Sequence, residues 1–257
     1  MSVFVVVNGR DDGTEGMIRS EFPGVWLHVP DANIGFAAGT NLGIRAGARE
    51  YVLALNPDTR ILAGTLDRML DLMDACPEVA IGGCRLVRED GSLDHAAKRS
   101  FPTPLSALGH FTGLGRRVDA PRALAAYRAP EVDAGPVDAV NGAFMLLRRS
   151  ALDEIGLFDE GYWMYMEDLD LCYRAARAGW VTWYEPSATA VHVKHGTTGE
   201  HRSLRLNYAF HYGMYRFYRK HYAPLRSHAL NLAVYVGIAV KLAVSIIRTA
   251  RRRLREQ

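Results

Sequence analysis

Short apolar runs rich in β-branched residues recur through the first third of the chain. SVFVVV stops at the turn cluster NGRDDG, VWLHV (25–29) at a proline and an aspartate, and YVLAL (51–55) at NPDT. Runs of this length bounded by turn residues read as buried strands. Helical segments separate them. DANIGFAAGTNLGIRAGARE precedes the third run, TLDRMLDLMDAC follows it, and VAIGGCRLV (79–87) is strand-like again. Strands alternating with helices predict an α/β layered fold. Ligands in such sheets gather at the carboxyl ends of strands, the kind of place NPDT occupies.

Gly35, Gly39, Gly43 and Gly47 fall at every fourth residue, which on a helix leaves one bare face for close packing. Residues 95–137 carry loop signals, with room for one short helix. VDAVNGAFMLLRR (137–149) reads as a strand with a glycine bend, and Ser150 as the N-cap of the next helix. EDLDLCYRAARAGW reads as a helix closed by Gly179. VTWYEP and SATAVHV read as two strands, and 203–222 as a helix rich in Tyr, Phe, His and Arg.

Composition narrows the class. The 257 residues are 49% hydrophobic and 23% charged, which excludes a disordered or fibrous chain. A net charge of +3 is too small to imply nucleic acid. Cys76, Cys84 and Cys172 are far apart and form no CxxC pair, so a reduced, cytosolic compartment is expected. MSVFVVVNGRDDG has too short an apolar run for a signal peptide.

Three stretches carry chemistry. NPDT presents Asn56 and Asp58, two oxygen side chains that can share Mg²⁺ or Mn²⁺; an ordinary Asx-Pro turn has the same letters. WMYMEDLDLC places Glu167, Asp168 and Asp170 at a helix start behind bulky apolar residues. Asp170 precedes Arg174 by four, the spacing of an ion pair on one face. Glu167 and Asp168 read either as first-turn acids on a solvated helix or as a general base lining a cleft. AVHVKHG places His192 and His195 after a strand, where an imidazole can complete a metal site with Asp58.

In order along the chain, NIGFAAGTN, a strand ending in NPD, VNGAFMLLRR, GLFDEGYWMYMEDLDLCYR and a strand carrying AVH resemble the family 2 inverting glycosyltransferases, in their rhamnosyltransferase-like branch. The resemblance covers residues 3–222. It implies a GT-A (Rossmann-like) mixed sheet flanked by helices, a nucleotide-sugar donor such as dTDP-rhamnose, and a saccharide or polyprenyl-diphosphate-linked acceptor. Asp168 would be the catalytic base, with Glu167 as the alternative. Asp58 and His192 would hold Mg²⁺ or Mn²⁺. Asn8, Asn33, Gly39, Asn41, Asn56 and Asp58 would bind the donor, and Gly142, Ala143 and Trp163 the acceptor.

Two departures stand against the family pattern. SVFVVVNGRDDG aligns with the family's second strand, so the first strand and helix are missing, and an unpaired sheet edge is expected. Val7 stands where the family has an Asp that reads the pyrimidine, and Arg10 where it has Ser. These departures support an alternative, a catalytically impaired GT-A-like scaffold acting as a membrane-bound partner.

Residues 1–222 are thus expected to form the GT-A domain, and 223–257 an amphipathic, basic tail. In ALNLAVYVGIAVKLAVSII (229–247) large apolar residues fill every even position from 230 to 246, a strand-like alternation over a length that suits a helix better. Lys241 costs about 3 kcal/mol on insertion scales, against roughly −4 kcal/mol from the Leu, Ile and Val residues. That near-balance favours a helix lying in the interface, followed by arginines suited to anionic lipid, on the cytoplasmic face of the cell membrane. Packing on a second subunit, as a homodimer, is the other use of such a face.

Overall fold

The computed structural model describes residues 1–9, 12–102, 133–193 and 203–253. The elements run β1 (Phe4–Val6), α1 (Thr14–Glu21), β2 (Trp26–His28), α2 (Phe36–Ala46), β3 (Tyr51–Leu55), β4 (Thr59–Ile61), α3 (Thr65–Ala75), β5 (Val79–Val87) and β6 (Lys98–Arg99). Then come β7 (Gly135–Pro136), β8 (Ala139–Val140), β9 (Phe144–Arg148), α4 (Arg149–Ile155), α5 (Glu167–Arg177), β10 (Val181–His192), α6 (Leu204–His221) and α7 (His228–Arg253). They fall into two units. The first comprises Met1–Val52, Leu157–Glu167 and Ser203–Gln257, and the second Leu53–Gly156 and Asp168–Arg202.

In the first unit β1 and β2 pair in parallel, with Val5 opposite Leu27, and form a two-stranded sheet of their own. Of the four glycines spaced by four, Gly39 and Gly43 lie on α2, while Gly35 and Gly47 flank it as non-helical caps. A methyl group at Gly43 would stand 3.6 Å from Cβ of Phe4, and one at Gly39 would stand 3.0 Å from Nδ2 of Asn8. The Gly43 distance is ordinary contact, whereas at Gly39 a methyl would crowd the Asn8 amide.

α6 begins at Ser203, whose Oγ accepts the Leu206 N–H at 3.2 Å, a side-chain cap for one orphan amide. Farther along, Arg216 and Lys220 both reach Asp159, at 2.8 and 2.7 Å. Tyr165 and Met166, just before α5, have φ of 70° and 74°, which costs a non-glycine residue about 1–3 kcal/mol each. Gly213 of α6 makes room for them: a methyl there would stand 3.0 Å from both Tyr165 O and Met166 Cγ.

α7 returns along α6. Tyr218 Oη donates to Asn231 Oδ1 at 2.7 Å, Asn207 Nδ2 donates to Thr249 Oγ1 at 2.9 Å, and the Tyr235 ring stands 5.1 Å from that of Tyr215. Asn231, Tyr235, Ile238, Lys241, Ser245 and Thr249 make the sheltered side. Leu232, Val236, Val240, Val244 and Ile247 face outward, Leu232 with 64% of its surface exposed. The even-position alternation is therefore not a strand. In a helix the same residues wrap around most of the axis, and the polar minority turns toward α6.

The second unit is built on a mixed sheet in the order β3-β9-β5-β10-β4, with β7 also pairing β10. β10 and β5 are parallel, while β9 on β5 and β4 on β10 are antiparallel. The two strands expected at 181–193 are one. Pro186 supplies no N–H, so the ladder breaks between Glu185 and Thr189 and resumes as a bulge. Ser150 is not the N-cap of α4 either, since that position belongs to Arg148. The Arg148 side chain is buried and donates to the carbonyls of Met73, Cys76 and Val79, satisfying the end of α3 and the start of β5. Cys84 and Cys172 are free thiols pushed up to about 12 by burial, which keeps them protonated and unreactive.

The close approach of Gly213 to the 165–166 turn makes a direct test. Gly213→Val is expected to lower stability by about 1–3 kcal/mol, read as a fall in Tm by circular dichroism.

Candidate active site

The second unit brings together Asn56, Asp58, Gly142, Ala143, Asp168 and His192. β3 ends at Leu55, and the Asn56 N–H donates to Ala143 O at 3.1 Å, fixing the turn after it. The Thr59 N–H closes that turn on Asn56 O at 3.0 Å. β4 then pairs with β10 so that Thr59 lies opposite His192, which sets Asp58 beside the imidazole. His192 Nε2 stands 3.6 Å from Asp58 Oδ1, and its Nδ1 stands 3.2 Å from Asp94 Oδ2. Asp58 first, then Asp94, raise His192 to about 9 by bonding its protonated form.

Asp94 is fully buried and was not singled out in the sequence. It sits behind the imidazole and accepts the Ala96 N–H on its other oxygen at 3.0 Å. A carboxylate behind one ring nitrogen is the usual companion of a metal-ligating histidine, because it turns the other nitrogen outward.

Asp168, in the first turn of α5, is almost buried and accepts three hydrogen bonds. Its Oδ1 takes the Leu169 N–H at 2.7 Å. Its Oδ2 takes the Gly142 N–H at 3.1 Å and the guanidinium of Arg99, with which it forms an ion pair. Arg99 is the second residue that sequence reasoning missed. Asp170 behaves as its spacing predicts: it is fully buried, and Arg174 Nε reaches it at 2.8 Å. Arg174 also donates to the carbonyls of Ile155 and Gly156, at 2.5 and 3.1 Å.

The first unit holds Asn8, Asn33, Gly39, Asn41, Trp163 and Glu167. Asn8 clamps the turn before α2, accepting the Ile34 N–H at 2.8 Å and donating to Gly35 O at 2.5 Å. Asn33 Oδ1 accepts the Gly35 N–H at 3.0 Å. Gly35 has φ of 90°, and a methyl there would stand 2.3 Å from Trp163 O, which accepts the Phe36 N–H at 2.8 Å. Trp163 is thus packed on the Asn33–Phe36 turn, with the Arg205 guanidinium 3.8 Å over its ring. Asn41 is buried, and its amide group bonds Phe158 N, Phe158 O and Glu160, so it anchors α2 to the 158–160 segment. Glu167 is buried at the first position of α5. His195 and Arg10 lie outside the described residues.

Among the described residues no group of three or more His, Cys, Asp and Glu could hold a metal ion. Asp58 and His192 make a set of two. Two ligands on one Mg²⁺ or Mn²⁺ stand roughly 3 Å apart at octahedral bond lengths, so the 3.6 Å pair needs only a small adjustment to share one. Such ions usually take one or two protein ligands and fill the rest of the shell with phosphate oxygens and water. The cation would replace the proton on His192, since ligation needs neutral imidazole.

Residues 1–209 match the family described as glycosyltransferase like family 2. The N-acetylglucosaminyl-diphospho-decaprenol L-rhamnosyltransferase of Mycobacterium tuberculosis is 32% identical over 273 aligned positions, covering 99% of this chain and 88% of that protein. Among solved structures, GalNAc-T7 with UDP, GalNAc and Mn²⁺ is similar at a TM-score of 0.58 and 12% identity, over 85% of this chain and 41% of that one. The mannosyltransferase PcManGT of Pyrobaculum calidifontis, in complex with GDP-Man and Mn²⁺, is similar at a TM-score of 0.55 and 15% identity, over 97% of this chain and 66% of that one. The chain therefore spans less than two thirds of either structure, and the likeness is one of fold, the GT-A fold.

The three neighbouring acids separate experimentally. Asp170→Ala leaves Arg174 without its buried partner and is expected to cost about 3–5 kcal/mol, seen as a lower midpoint in urea unfolding.

Proposed function

This chain belongs to the glycosyltransferase family 2-like proteins, and on that premise we propose that it is a metal-dependent, inverting rhamnosyltransferase of cell-envelope polysaccharide synthesis. Its donor is dTDP-rhamnose or a similar nucleotide sugar, and its acceptor a polyprenyl-diphosphate-linked saccharide. The observation that carries the reading is that one unit holds both an oxygen–nitrogen pair, Asp58 and His192, and a carboxylate fixed at a helix start, Asp168. The long match to a rhamnosyltransferase supports the choice of sugar.

In the proposed reaction Asp168 takes the proton of the acceptor hydroxyl. As that O–H bond breaks, the oxygen attacks the anomeric carbon from the side opposite the diphosphate. The bond from that carbon to the diphosphate oxygen breaks, and its electron pair leaves with the nucleoside diphosphate, so the configuration inverts. Asp58 and His192 would hold a Mg²⁺ or Mn²⁺ ion, which would supply positive charge for the leaving group. Asp94 keeps the His192 ring turned for that task. Gly142 and Ala143 line the acceptor side. In the second unit Asn56 is a donor-binding candidate; in the first, Asn8, Asn33 and Gly39 are, with Asn41 anchoring α2. In the first unit Trp163 is an acceptor-binding candidate and Glu167 the alternative base.

Residues 1–222 form the catalytic domain in this reading, and 223–257 carry it to the cytoplasmic membrane face. α7 is long and apolar enough to cross a membrane by length and composition. Its outward face is apolar, and Arg248 and Arg251 stand at its C-terminal end. An in-plane helix with basic ends suits an anionic bilayer surface.

Asp168→Asn is expected to abolish rhamnosyl transfer from dTDP-rhamnose to a short-chain polyprenyl-diphosphate N-acetylglucosamine, while calorimetry still shows Mn²⁺-dependent dTDP binding. Near-normal transfer removes Asp168 as base, and no dTDP binding by the wild-type chain favours the impaired scaffold. Membrane attachment has its own measurement. Val236→Glu with Val240→Glu is expected to release the protein from sedimenting phosphatidylglycerol vesicles by at least tenfold while dTDP binding persists.

A further inference from the structure

Arg99, the ion-pair partner of Asp168, lies in a short segment that touches both halves of the candidate site. Asp94 holds His192. The carbonyls of Ala96 and Ala97 receive Asn141 Nδ2 and the Asn141 N–H, at 3.4 and 3.2 Å. Arg99, two residues on, reaches Asp168. β6 is fixed on both sides of Arg99. It pairs with β8, Arg99 opposite Ala139, and the Phe101 N–H donates to Asp138 Oδ2 at 2.8 Å. The Phe101 ring meets the edge of Tyr173, which belongs to the same helix as Asp168, at 5.0 Å. The guanidinium also donates to Val140 O at 3.0 Å, so its direction is set by two acceptors.

This arrangement treats the two carboxylate oxygens differently. A carboxylate oxygen offers two lone pairs. On Oδ2 both are engaged, by Arg99 and by the Gly142 N–H. On Oδ1 the Leu169 N–H takes one, among the described residues. We propose that Arg99 is a positioning residue for transfer, clasping Asp168 by Oδ2 so that Oδ1 is the oxygen presented to the acceptor hydroxyl. Both bonds leave Nη2, whose N–H groups are fixed in the guanidinium plane, whereas an ammonium turns freely on its stem.

The inference rests on the reading of Asp168 as base, and the two fail differently. Arg99→Ala is expected to lower kcat about 100-fold, the scale of a misplaced reacting group, with the acceptor KM changed less than about threefold. Guanidinium added at a non-denaturing concentration restores part of that kcat, and Arg99→Lys falls between the two enzymes. Asp168→Asn is dead in the same assay, and adding Arg99→Ala to it changes nothing further. An Arg99→Ala enzyme with normal kcat overturns the clasp alone. So does a loss confined to KM, or a loss that follows the unfolded fraction by near-ultraviolet circular dichroism and ignores guanidinium. Full transfer by Asp168→Asn overturns the base reading and the clasp with it.

Discussion

A carboxylate with no access to water has to be satisfied by the protein, and Asp94 shows how much geometry that requirement sets. Its two oxygens take a backbone amide and the His192 ring, so the 94–97 turn and the end of β10 are tied at one point. The same turn supplies the carbonyls for Asn141, and Asn141 begins the bend whose Gly142 amide meets Asp168. Removing Asp94 would loosen the histidine first. The bend that donates to the helix-start carboxylate would follow, because it is bonded to the same short stretch.

The second governing constraint is the reversal of polarity in α7. A helix on a water-soluble surface shelters its apolar stripe and exposes its polar one. α7 does the opposite. Its hydrogen-bonding side chains are used on α6, while valines and leucines spaced by four stand outside. Covering that outward face with any apolar neighbour would remove it from water, which is favourable. On the proposed reading the apolar face and the basic residues near the helix end both meet a bilayer surface.

Much of this architecture was legible because it depends on short-range pattern. The four-residue glycine spacing marks the face of α2 that meets β1, and the Asp170–Arg174 interval marks an ion pair within one helix. The turn after YVLAL fell at a strand end, where NPDT places Asp58. What was not legible depends on distant partners. Arg99 bonds a carboxylate 69 residues away, and Asp94 an imidazole 98 residues away. Both sit in EDGSLDHAAKR, whose letters advertise a loop. Ser150 looked like a cap because of its hydroxyl, but the long-range bonds of Arg148 fixed where α4 starts. Pro186 looked like the end of a strand, and the parallel partner β5 carried the ladder past it.

The turn at Tyr165 and Met166 has an evolutionary consequence. These two residues hold left-handed backbone directly against the bare backbone of Gly213. A side chain at 213 requires Met166 and the Tyr165 carbonyl to give way by a few tenths of an ångström. Glycine at 165 or 166 would ease the backbone at any time. Substitutions here are therefore epistatic. The two stretches, some fifty residues apart in the gene, are expected to vary together at these positions.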